Sequence, residues 1–267
     1  FELRPLLQEA HALSPRPLVV SSIRDILQEG RKPERIAETT KLIQDYFDAV
    51  LVHGDERIAP LSLSFPNSNM IADKVHYTGI VRPTRISASQ SDTADIIVSA
   101  GGGAVGANLL HTTALALPST KVSNARWLFV TGPNLDNEAF EELRISMPEN
   151  CRTERFREDL PELLHHAKLS ISQAGYNTVA DILGAGCRCV LVPFASGGET
   201  EQTRRAEILA QKGRAVVVSE DVLTPEEMAK AINGALQQSA PKAGLGTADG
   251  AHQSALILKS LLAGRKS

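Results

Sequence analysis

The sequence is poor in cysteine and aromatic residues, and its net charge is small. Three cysteines are too few for a disulfide framework, which favours a reducing, cytoplasmic location. With 4% aromatic residues and a net charge of -3, the chain has neither the stacking platform nor the basic stripe typical of nucleic-acid binding. No apolar run approaches the ~20 residues that span a bilayer. The composition therefore predicts a globular protein without a transmembrane segment.

Short β-branched runs alternate with longer stretches of helical period. This alternation is typical of βα units that build a parallel sheet, so an α/β fold is predicted. The predicted strands are 18–23, 49–53, 75–81, 95–100, 127–131, 169–173, 189–194 and 215–218. The predicted helices are 1–13, 35–47, 106–117, 137–145, 160–166, 178–184, 201–212, 225–238 and 251–262.

Two loose stretches divide the chain. Pro83 and a run rich in Ser, Thr and Gln at 82–94 predict a domain boundary, and 239–250 are rich in glycine ahead of the last helix. The predicted organisation is a partial first domain at 1–85, a second domain at 86–240, and a linker with a C-terminal helix at 241–267. Because the chain begins inside a helical stretch with Phe1 rather than Met, further residues are expected before it.

The first candidate site is the glycine-rich run at 101–106, between an apolar strand and a helix. Glycines let backbone N–H groups approach an anion, and the following helix adds its positive end, so the run predicts a phosphate-binding loop. It departs from the dinucleotide fingerprint, and 121–126 is basic and polar where that motif needs an acid, so no nicotinamide cofactor is expected. The alternative is a tight turn that binds nothing.

The second candidate site is the segment 172–181, also at the end of a strand. Small residues at 172–175 allow a sharp turn that exposes backbone amides and the Thr178 hydroxyl. Asp181, in the first turns of the next helix, can accept two hydrogen bonds from a ribose diol. Its alternative role is a favourable interaction with the helix dipole.

The third candidate site is 192–202, where a strand runs into a glycine-rich loop and a helix. The first helical turn presents Glu201 and Gln202 to the same sheet edge. Alternatively, Glu199 and Glu201 are ordinary helix-start acids. Three loops at the carboxyl ends of strands favour one convergent ligand site, because open α/β sheets bind ligands at that edge.

Five motifs follow one another along the second domain: Ser-Gln-Ala-Gly at 172–175, Thr178, Asp181, Val-Pro at 192–193, and Glu-Gln at 201–202 with Arg-Ala at 205–206. In this order they resemble the donor-binding domain of glycosyltransferase family 28. That family includes the N-acetylglucosaminyltransferase of lipid II synthesis and a bacterial branch of predicted glycosyltransferases. The resemblance spans about residues 95–238. It implies a GT-B fold of two Rossmann-like lobes with parallel sheets. It also implies that a sugar is transferred with inversion from a nucleotide-diphosphate donor, namely a UDP-sugar, to an unidentified acceptor.

The resemblance also implies the residues that bind the donor. They are Gly102, Gly103, Gly106, Phe156, Arg157, Ser172, Ala174, Gly175, Asn177, Thr178, Asp181, Glu201 and Gln202. The glycines and Thr178 would lie against the diphosphate, and Asp181 would hold the ribose. The backbone at 156–157 would read the nucleobase, and Gln202, with Glu201, would contact the sugar. No Asp-x-Asp occurs in the chain, so no metal or other cofactor is expected, and helix N-termini would stabilise the leaving group.

The sequence departs from the family in three places. The family's Gly-x-Pro ahead of the Val-Pro strand is Gly-Cys-Arg-Cys at 186–189 here. The family's common Gln-Gln pair is Glu201-Gln202 here, and an acid facing the sugar would alter donor choice. The glycine-rich loop that carries the family's histidine base has no counterpart before Leu18, so the amino-terminal lobe is expected to be incomplete. The first domain resembles the later part of an acceptor domain, and its candidate catalytic residues are His53 and Asp25. The alternative for His53 is a hydrogen bond within its own loop.

The predicted partners are a nucleotide-sugar donor and an unknown acceptor, and no nucleic acid. Membrane contact would be peripheral, and would occur if the acceptor is a lipid. Two alternatives remain. A nucleotide-sugar epimerase or hydrolase would use the same fold, because fold and donor pocket do not fix the reaction. A non-catalytic nucleotide-sugar-binding module would fit the incomplete first lobe.

Overall fold

The computed structural model describes residues 3–81, 93–101, 106–241 and 249–265. The chain forms two compact units: unit 1 comprises residues 1–82 and 246–267, and unit 2 comprises residues 83–245. The sequence-predicted boundary at 82–94 and the predicted linker fall largely outside the described residues. The C-terminal helix, which the sequence separates from both domains, groups with unit 1.

The described elements alternate between helix and strand. The helices are α1 (Leu3–Ala12), α2 (Pro33–Tyr46), α3 (Ala107–Ala116), α4 (Asn137–Ser146), α5 (Leu160–His166), α6 (Tyr176–Ala185), α7 (Glu201–Gln211), α8 (Pro225–Gln237) and α9 (Gly250–Gly264). The strands are β1 (Val20–Arg24), β2 (Ala49–His53), β3 (Val75–Tyr77), β4 (Ile96–Ser99), β5 (Trp127–Val130), β6 (Cys151–Glu154), β7 (Leu169–Ser172), β8 (Cys189–Leu191) and β9 (Val216–Val217). Short 3-10 segments lie at Leu61–Leu63, Pro66–Lys74, Leu117–Ser119, Ser196–Gly198 and Glu220–Val222.

Unit 1 is built on a three-stranded parallel sheet in the order β1-β2-β3. The central strand β2 is buried over its first four residues, while the edge strand β1 is partly exposed. Its core is formed by Val50, Val52, Leu61, Phe65 and Ile71, with α2 residues packed against it. The carboxyl ends of the three strands meet at one edge, since parallel strands run in the same direction.

The C-terminal helix α9 is held on unit 1 at both of its ends. Gly250 donates its N–H to the Ile80 carbonyl at 3.2 Å. A Cβ at position 250 would lie 2.7 Å from the same carbonyl oxygen, so the approach requires glycine. At the other end, Arg265 pairs with Asp48 and donates to the Arg16 carbonyl at 3.2 Å. Unit 1 is therefore made from both ends of the chain.

Unit 2 contains a six-stranded parallel sheet in the order β6-β5-β4-β7-β8-β9. The chain enters at the central strand β4, moves outward through β5 to β6, and then returns to the other side of β4 as β7. β4, β5, β7 and β8 are buried at every residue because helices cover both faces of the sheet. β4 and β7 flank the topological switch point, where open sheets of this kind form their ligand crevice.

Strand boundaries differ from the sequence prediction where polar or loop residues interrupt the pattern. β6 was not predicted, because Arg152, Thr153 and Glu154 give it a polar sequence on a sheet edge. β3 ends at Tyr77 rather than 81, and β8 ends at Leu191 rather than 194, because the next residues leave the ladder for loops. No helix in the described ranges is both long and apolar enough to cross a membrane.

Candidate functional site

Gly101 after β4 and Gln173 after β7 lie side by side at the switch point. Gly101 leaves β4 with φ +71°, a left-handed conformation that favours glycine, and a Cβ there would lie 3.8 Å from Oε1 of Gln173. Gly106 is the N-cap of α3, and a Cβ at that position would lie 2.2 Å from the Ala100 Cβ. Only glycine lets the chain return so closely to the end of β4. The predicted ligands Gly102 and Gly103 lie outside the described residues.

The turn from β7 into α6 presents unpaired polar groups. Ser172 is fully buried, and its Oγ has no hydrogen-bond partner within the part of the chain that the structure describes. Ala174 is also fully buried, and Gly175 is the N-cap of α6 without a side-chain cap among the described residues. The first N–H groups of a helix have no carbonyl partner within it, and they carry partial positive charge. The turn is therefore suited to an anion.

Three further predicted ligands lie on the first two turns of α6. Asn177 is exposed, whereas Thr178 and Asp181 are half-buried. Residues three and four apart share a helix face, so Asp181 lies one turn beyond Asn177 and Thr178.

The loop from β8 into α7 is held by side-chain to backbone hydrogen bonds. Oε1 of Gln202 accepts the Phe194 N–H at 3.2 Å. Because a backbone N–H needs an oxygen acceptor, this bond fixes the amide orientation and directs Nε2, a donor, to the other side. Oε1 of Glu199 accepts the Glu201 N–H at 2.8 Å, which caps the first turn of α7.

Arg205 links α7 to the β7–α6 turn, and the sequence reading gave it no role beyond its place in the resemblance. The residue is 3% exposed. Nη2 donates to Oε1 of Glu201 at 2.7 Å, and Nη1 donates to the Ala174 carbonyl at 3.0 Å. The guanidinium also lies 5.8 Å from the centroid of the Tyr176 ring. The Glu-Arg spacing of four residues on a predicted helix is the sequence signal that could have indicated the ion pair.

The loop after β6 contains the two residues predicted to face the nucleobase. Phe156 is 69% exposed. Arg157 makes a bidentate contact with Asp159, at 2.7 and 2.8 Å, and its Nη1 lies 3.3 Å from Oε2 of Glu154. The two carboxylates hold the Arg157 side chain against the loop and leave the Phe156 ring presented to solvent.

In unit 1, the His53 ring is held between two hydroxyl groups. Nδ1 lies 2.9 Å from Oγ1 of Thr78, and Nε2 lies 2.7 Å from Oγ of Ser22. Thr78 is buried, and its hydroxyl donates to the Gly79 carbonyl at 2.8 Å. Both His53 contacts reach residues of other segments, which the sequence could not place beside it.

These contacts favour one tautomer of neutral His53. When the Thr78 proton goes to the Gly79 carbonyl, the Thr78 oxygen accepts a hydrogen bond, and Nδ1 of His53 then carries the ring proton. Nε2 then presents its lone pair to the Ser22 hydroxyl. Burial lowers the pKa of His53 below its ordinary value of 6.5, because desolvation disfavours the imidazolium. The ring is arranged as a neutral base at Nε2.

Asp25, the second candidate catalytic residue, lies beside the loop that follows His53. A Cβ on Gly54 would lie 2.6 Å from the Asp25 Cβ, so glycine is required for this approach. Oδ1 of Asp25 accepts the Ile26 N–H at 2.8 Å. The structure therefore brings the segments of Asp25 and His53 together at the carboxyl edge of the unit 1 sheet.

The cysteines are free thiols with no reactive character. Burial raises the pKa of both Cys187 and Cys189 to about 12, so neither forms a thiolate near neutral pH. Within the described ranges, no cluster of three or more His, Cys, Asp or Glu side chains is placed to hold a metal ion.

Curated relatives are similar to part of this sequence. An N-acetylglucosamine transferase of Exiguobacterium sp., named for UDP-N-acetylglucosamine and a pyrophosphoryl-undecaprenol acceptor, is 28% identical over 187 residues, which are 65% of this chain and 50% of that protein. The protein of the same name from Synechococcus elongatus is 34% identical over 120 residues, 40% of this chain and 34% of that protein. The chain thus spans about half or less of these relatives.

Solved structures share the fold. The calicheamicin glycosyltransferase CalG4 matches with a TM-score of 0.65 and 14% identity, over 97% of this chain and 76% of that one. The likeness establishes an α/β fold of the GT-B glycosyltransferase type. The described residues form three strands in one sheet and six in the other. Residues 96–259, more than half of the chain, match the model of the glycosyltransferase family 28 C-terminal domain, and the chain therefore belongs to glycosyltransferase family 28.

Proposed function

We propose that the protein transfers a sugar from a UDP-sugar to the hydroxyl group of an acceptor, with inversion and without a metal ion. The observation that carries the proposal is the convergence at the switch point of unit 2, where Gly101 approaches Gln173 and Ser172 keeps a buried, unpaired hydroxyl. Membership of glycosyltransferase family 28 identifies the ligand class that this crevice would bind.

The donor diphosphate would bind at the turn between β7 and α6. Its negative charge would satisfy the first N–H groups of α6 and the Ser172 hydroxyl, with Thr178 beside them. Gly106 would bring the start of α3 to the same anion. In the transition state these donors would stabilise the charge that develops on the departing diphosphate, which is the role a metal ion has in other transferases.

The remaining donor contacts are those that the family resemblance implies. Asp181 would accept hydrogen bonds from the ribose hydroxyls one turn beyond the phosphates. The loop at Phe156 and Arg157 would form one side of the nucleobase pocket. Nε2 of Gln202, directed by the bond from the Phe194 N–H, would donate to the sugar.

His53 would act as the base that deprotonates the acceptor. In the neutral tautomer set by Thr78, Nε2 can accept a proton through the Ser22 hydroxyl or directly. As the acceptor oxygen attacks the anomeric carbon, its proton moves to His53 and the bond to the diphosphate breaks. Asp25 would stabilise the imidazolium that forms.

The acceptor class and the location are part of the proposal. The names of the Exiguobacterium and Synechococcus relatives specify a pyrophosphoryl-undecaprenol acceptor, so a lipid-linked hydroxyl is a reasonable first class to test. The protein would work in the cytoplasm and contact the membrane peripherally to reach such an acceptor.

Nucleotide binding is the first test. Titration with UDP is expected to raise the melting temperature, because a ligand that binds the folded state stabilises it. GDP and dTDP serve as matched probes of the nucleobase. If none of the three nucleotides shifts the transition, the proposed donor site is wrong.

Turnover is the second test. A labelled UDP-sugar with an added acceptor should give a glycosylated product at a rate that EDTA does not change. Release of free sugar, or a changed sugar stereochemistry, in the absence of acceptor would instead identify a hydrolase or an epimerase. Binding with no conversion under any of these conditions would identify a non-catalytic donor-binding module.

A further inference from the structure

We propose that Arg205 is a positioning residue that sets the diphosphate-binding turn of unit 2, and that Glu201 serves Arg205 rather than the sugar. The inference rests on the proposed function, since it concerns the same donor site. It assigns a role to a residue that the resemblance does not place among the donor contacts.

The starting observation is a buried cation with two partners on different segments. The Arg205 side chain is 4% exposed and that of Glu201 is 19% exposed. A guanidinium removed from water needs a counter-charge and satisfied N–H groups. Oε1 of Glu201, at 2.7 Å, supplies the charge from one turn earlier on α7. The second partner is the Ala174 carbonyl, at 3.0 Å.

The Ala174 carbonyl controls the peptide group at the centre of the turn. In a trans peptide the C=O and N–H bonds point in opposite directions. When Arg205 holds the Ala174 carbonyl on its own side, the N–H of Gly175 is directed to the other side. Gly175 is the N-cap of α6, so this peptide orients the start of the helix.

Tyr176 gives the clamp a third contact on the same element. The guanidinium lies 5.8 Å from its ring centroid, within the range of a cation–π interaction. Arg205 therefore contacts residues on both sides of Gly175. Only a planar fork with several donors can serve the Glu201 carboxylate and the Ala174 carbonyl together, and lysine offers a single point charge instead.

This arrangement changes the role of Glu201. The sequence resemblance places Glu201 beside the donor sugar, where an acid would alter donor choice. In the structure its carboxylate is engaged by Arg205. A substitution of Glu201 should therefore weaken binding of UDP and of a UDP-sugar by the same factor, whereas a residue that touches the sugar would change their ratio.

The main experiment measures the dissociation constant of UDP by calorimetry for the wild type, Arg205→Lys and Arg204→Lys. We expect Arg205→Lys to raise the dissociation constant about 10-fold, because the turn loses its fixed orientation. Arg204→Lys is the matched control, since Arg204 pairs with Glu207 on the partly exposed side of α7, and it should change affinity less than twofold. Equal affinities for Arg205→Lys and wild type would overturn the clamp.

Glu201→Gln separates the two roles of Glu201. We expect its dissociation constants for UDP and for UDP-N-acetylglucosamine to rise by the same factor. A change confined to the UDP-sugar would place Glu201 at the sugar and contradict the proposal.

Hydrogen exchange of the ligand-free proteins keeps the proposal testable if UDP does not bind. Backbone amide hydrogens in peptides that cover 172–180 should exchange faster in Arg205→Lys than in the wild type. Those of α8 should exchange at an unchanged rate. Unchanged exchange at 172–180 would refute the clamp. Absence of UDP binding by the wild type would refute the proposed donor instead, so the two failures are distinct. If Arg205→Lys does not fold, hydrogen exchange is measured on Glu201→Gln instead. Unchanged exchange at 172–180 in that variant would also refute the clamp.

Discussion

The carboxyl edges of the two sheets are built from different chemical groups. In unit 1 the edge is a network of side chains, in which Ser22 and Thr78 hold His53 in one tautomer. In unit 2 the edge is mainly backbone, with small residues at the turns and helix N-termini directed at the switch point. Side chains that titrate suit proton transfer, and fixed amides suit a constant anionic charge. Substitutions at the unit 1 edge are therefore expected to affect proton transfer, and substitutions at the unit 2 edge to affect anion binding.

The largest effect is expected for His53→Gln. Loss of a general base typically slows a reaction about 100- to 10,000-fold, and glutamine keeps a similar shape without a titratable lone pair. The UDP dissociation constant should be unchanged, because the substitution lies in unit 1. Single-turnover transfer and calorimetry measure the two quantities. His166→Gln, on α5 near Glu162, is the control of the same chemistry. A parallel loss of nucleotide affinity would contradict the division of roles.

Gly106→Ala should be the most destabilising change at the backbone edge. Its Cβ would lie 2.2 Å from the Ala100 Cβ, so the end of β4 or the start of α3 must move. Overpacking of this kind costs about 1–3 kcal/mol of unfolding free energy, which urea denaturation measures. Gly234→Ala on α8 is the matched control, because nothing lies within 4 Å of its added Cβ. Gly234→Ala should leave the free energy of unfolding unchanged or raise it. A neutral Gly106→Ala would show that the two segments are not tightly apposed.

Asp181→Ala should weaken UDP binding by about 10-fold, or ~1.4 kcal/mol. The expected cause is loss of the ribose hydrogen bonds, so a 2′,3′-dideoxy analogue of UDP should bind the variant and the wild type equally. Calorimetry with both ligands measures the difference. Asp221→Ala, an exposed acid on the Glu220–Val222 segment, is the control. An equal loss for the dideoxy analogue would mean that Asp181 acts through the helix rather than the ribose.

The smallest expected effect is a displacement of the pH profile. Burial lowers the pKa of His53 below 6.5, and the base must be neutral to accept a proton. The acidic limb of kcat/KM should therefore lie below pH 6.5, with activity falling as the pH falls through the lowered pKa. The contribution of His53 to the free energy of unfolding depends on pH in the same direction as the activity, since it is present above pH 6.5 and lost on acidification. An acidic limb above pH 6.5 would exclude His53 as its source.

Much of the fold was predictable from local patterns. β2 was predicted at its observed bounds, because a run of apolar residues between polar ones is a strong signal for a buried strand. β6 was missed, because an edge strand needs no apolar pattern to pair through its backbone. The C-terminal helix was predicted, but its place in unit 1 depends on long-range contacts such as that of Gly250 with Ile80.

The candidate sites likewise combine features that local sequence patterns predict with features that depend on long-range contacts. The motif order at 172–202 predicts the convergent loops, because each motif combines a strand end with a helix start. The partners of His53 could not be predicted, since Ser22 and Thr78 meet it through the pairing of separate segments. Arg205 was missed as a positioning residue because its partner is a carbonyl oxygen, which every residue type offers.

The discontinuity of unit 1 affects how the protein is made. Residues 83–245 form one continuous unit, so its core can assemble on the ribosome as soon as it has emerged. Unit 1 cannot be completed then, because α9 is translated after unit 2, and Gly250 and Arg265 dock on residues made much earlier. Until α9 has emerged, the segment of His53 lacks the helix that completes unit 1, and unit 2 can form before unit 1 does.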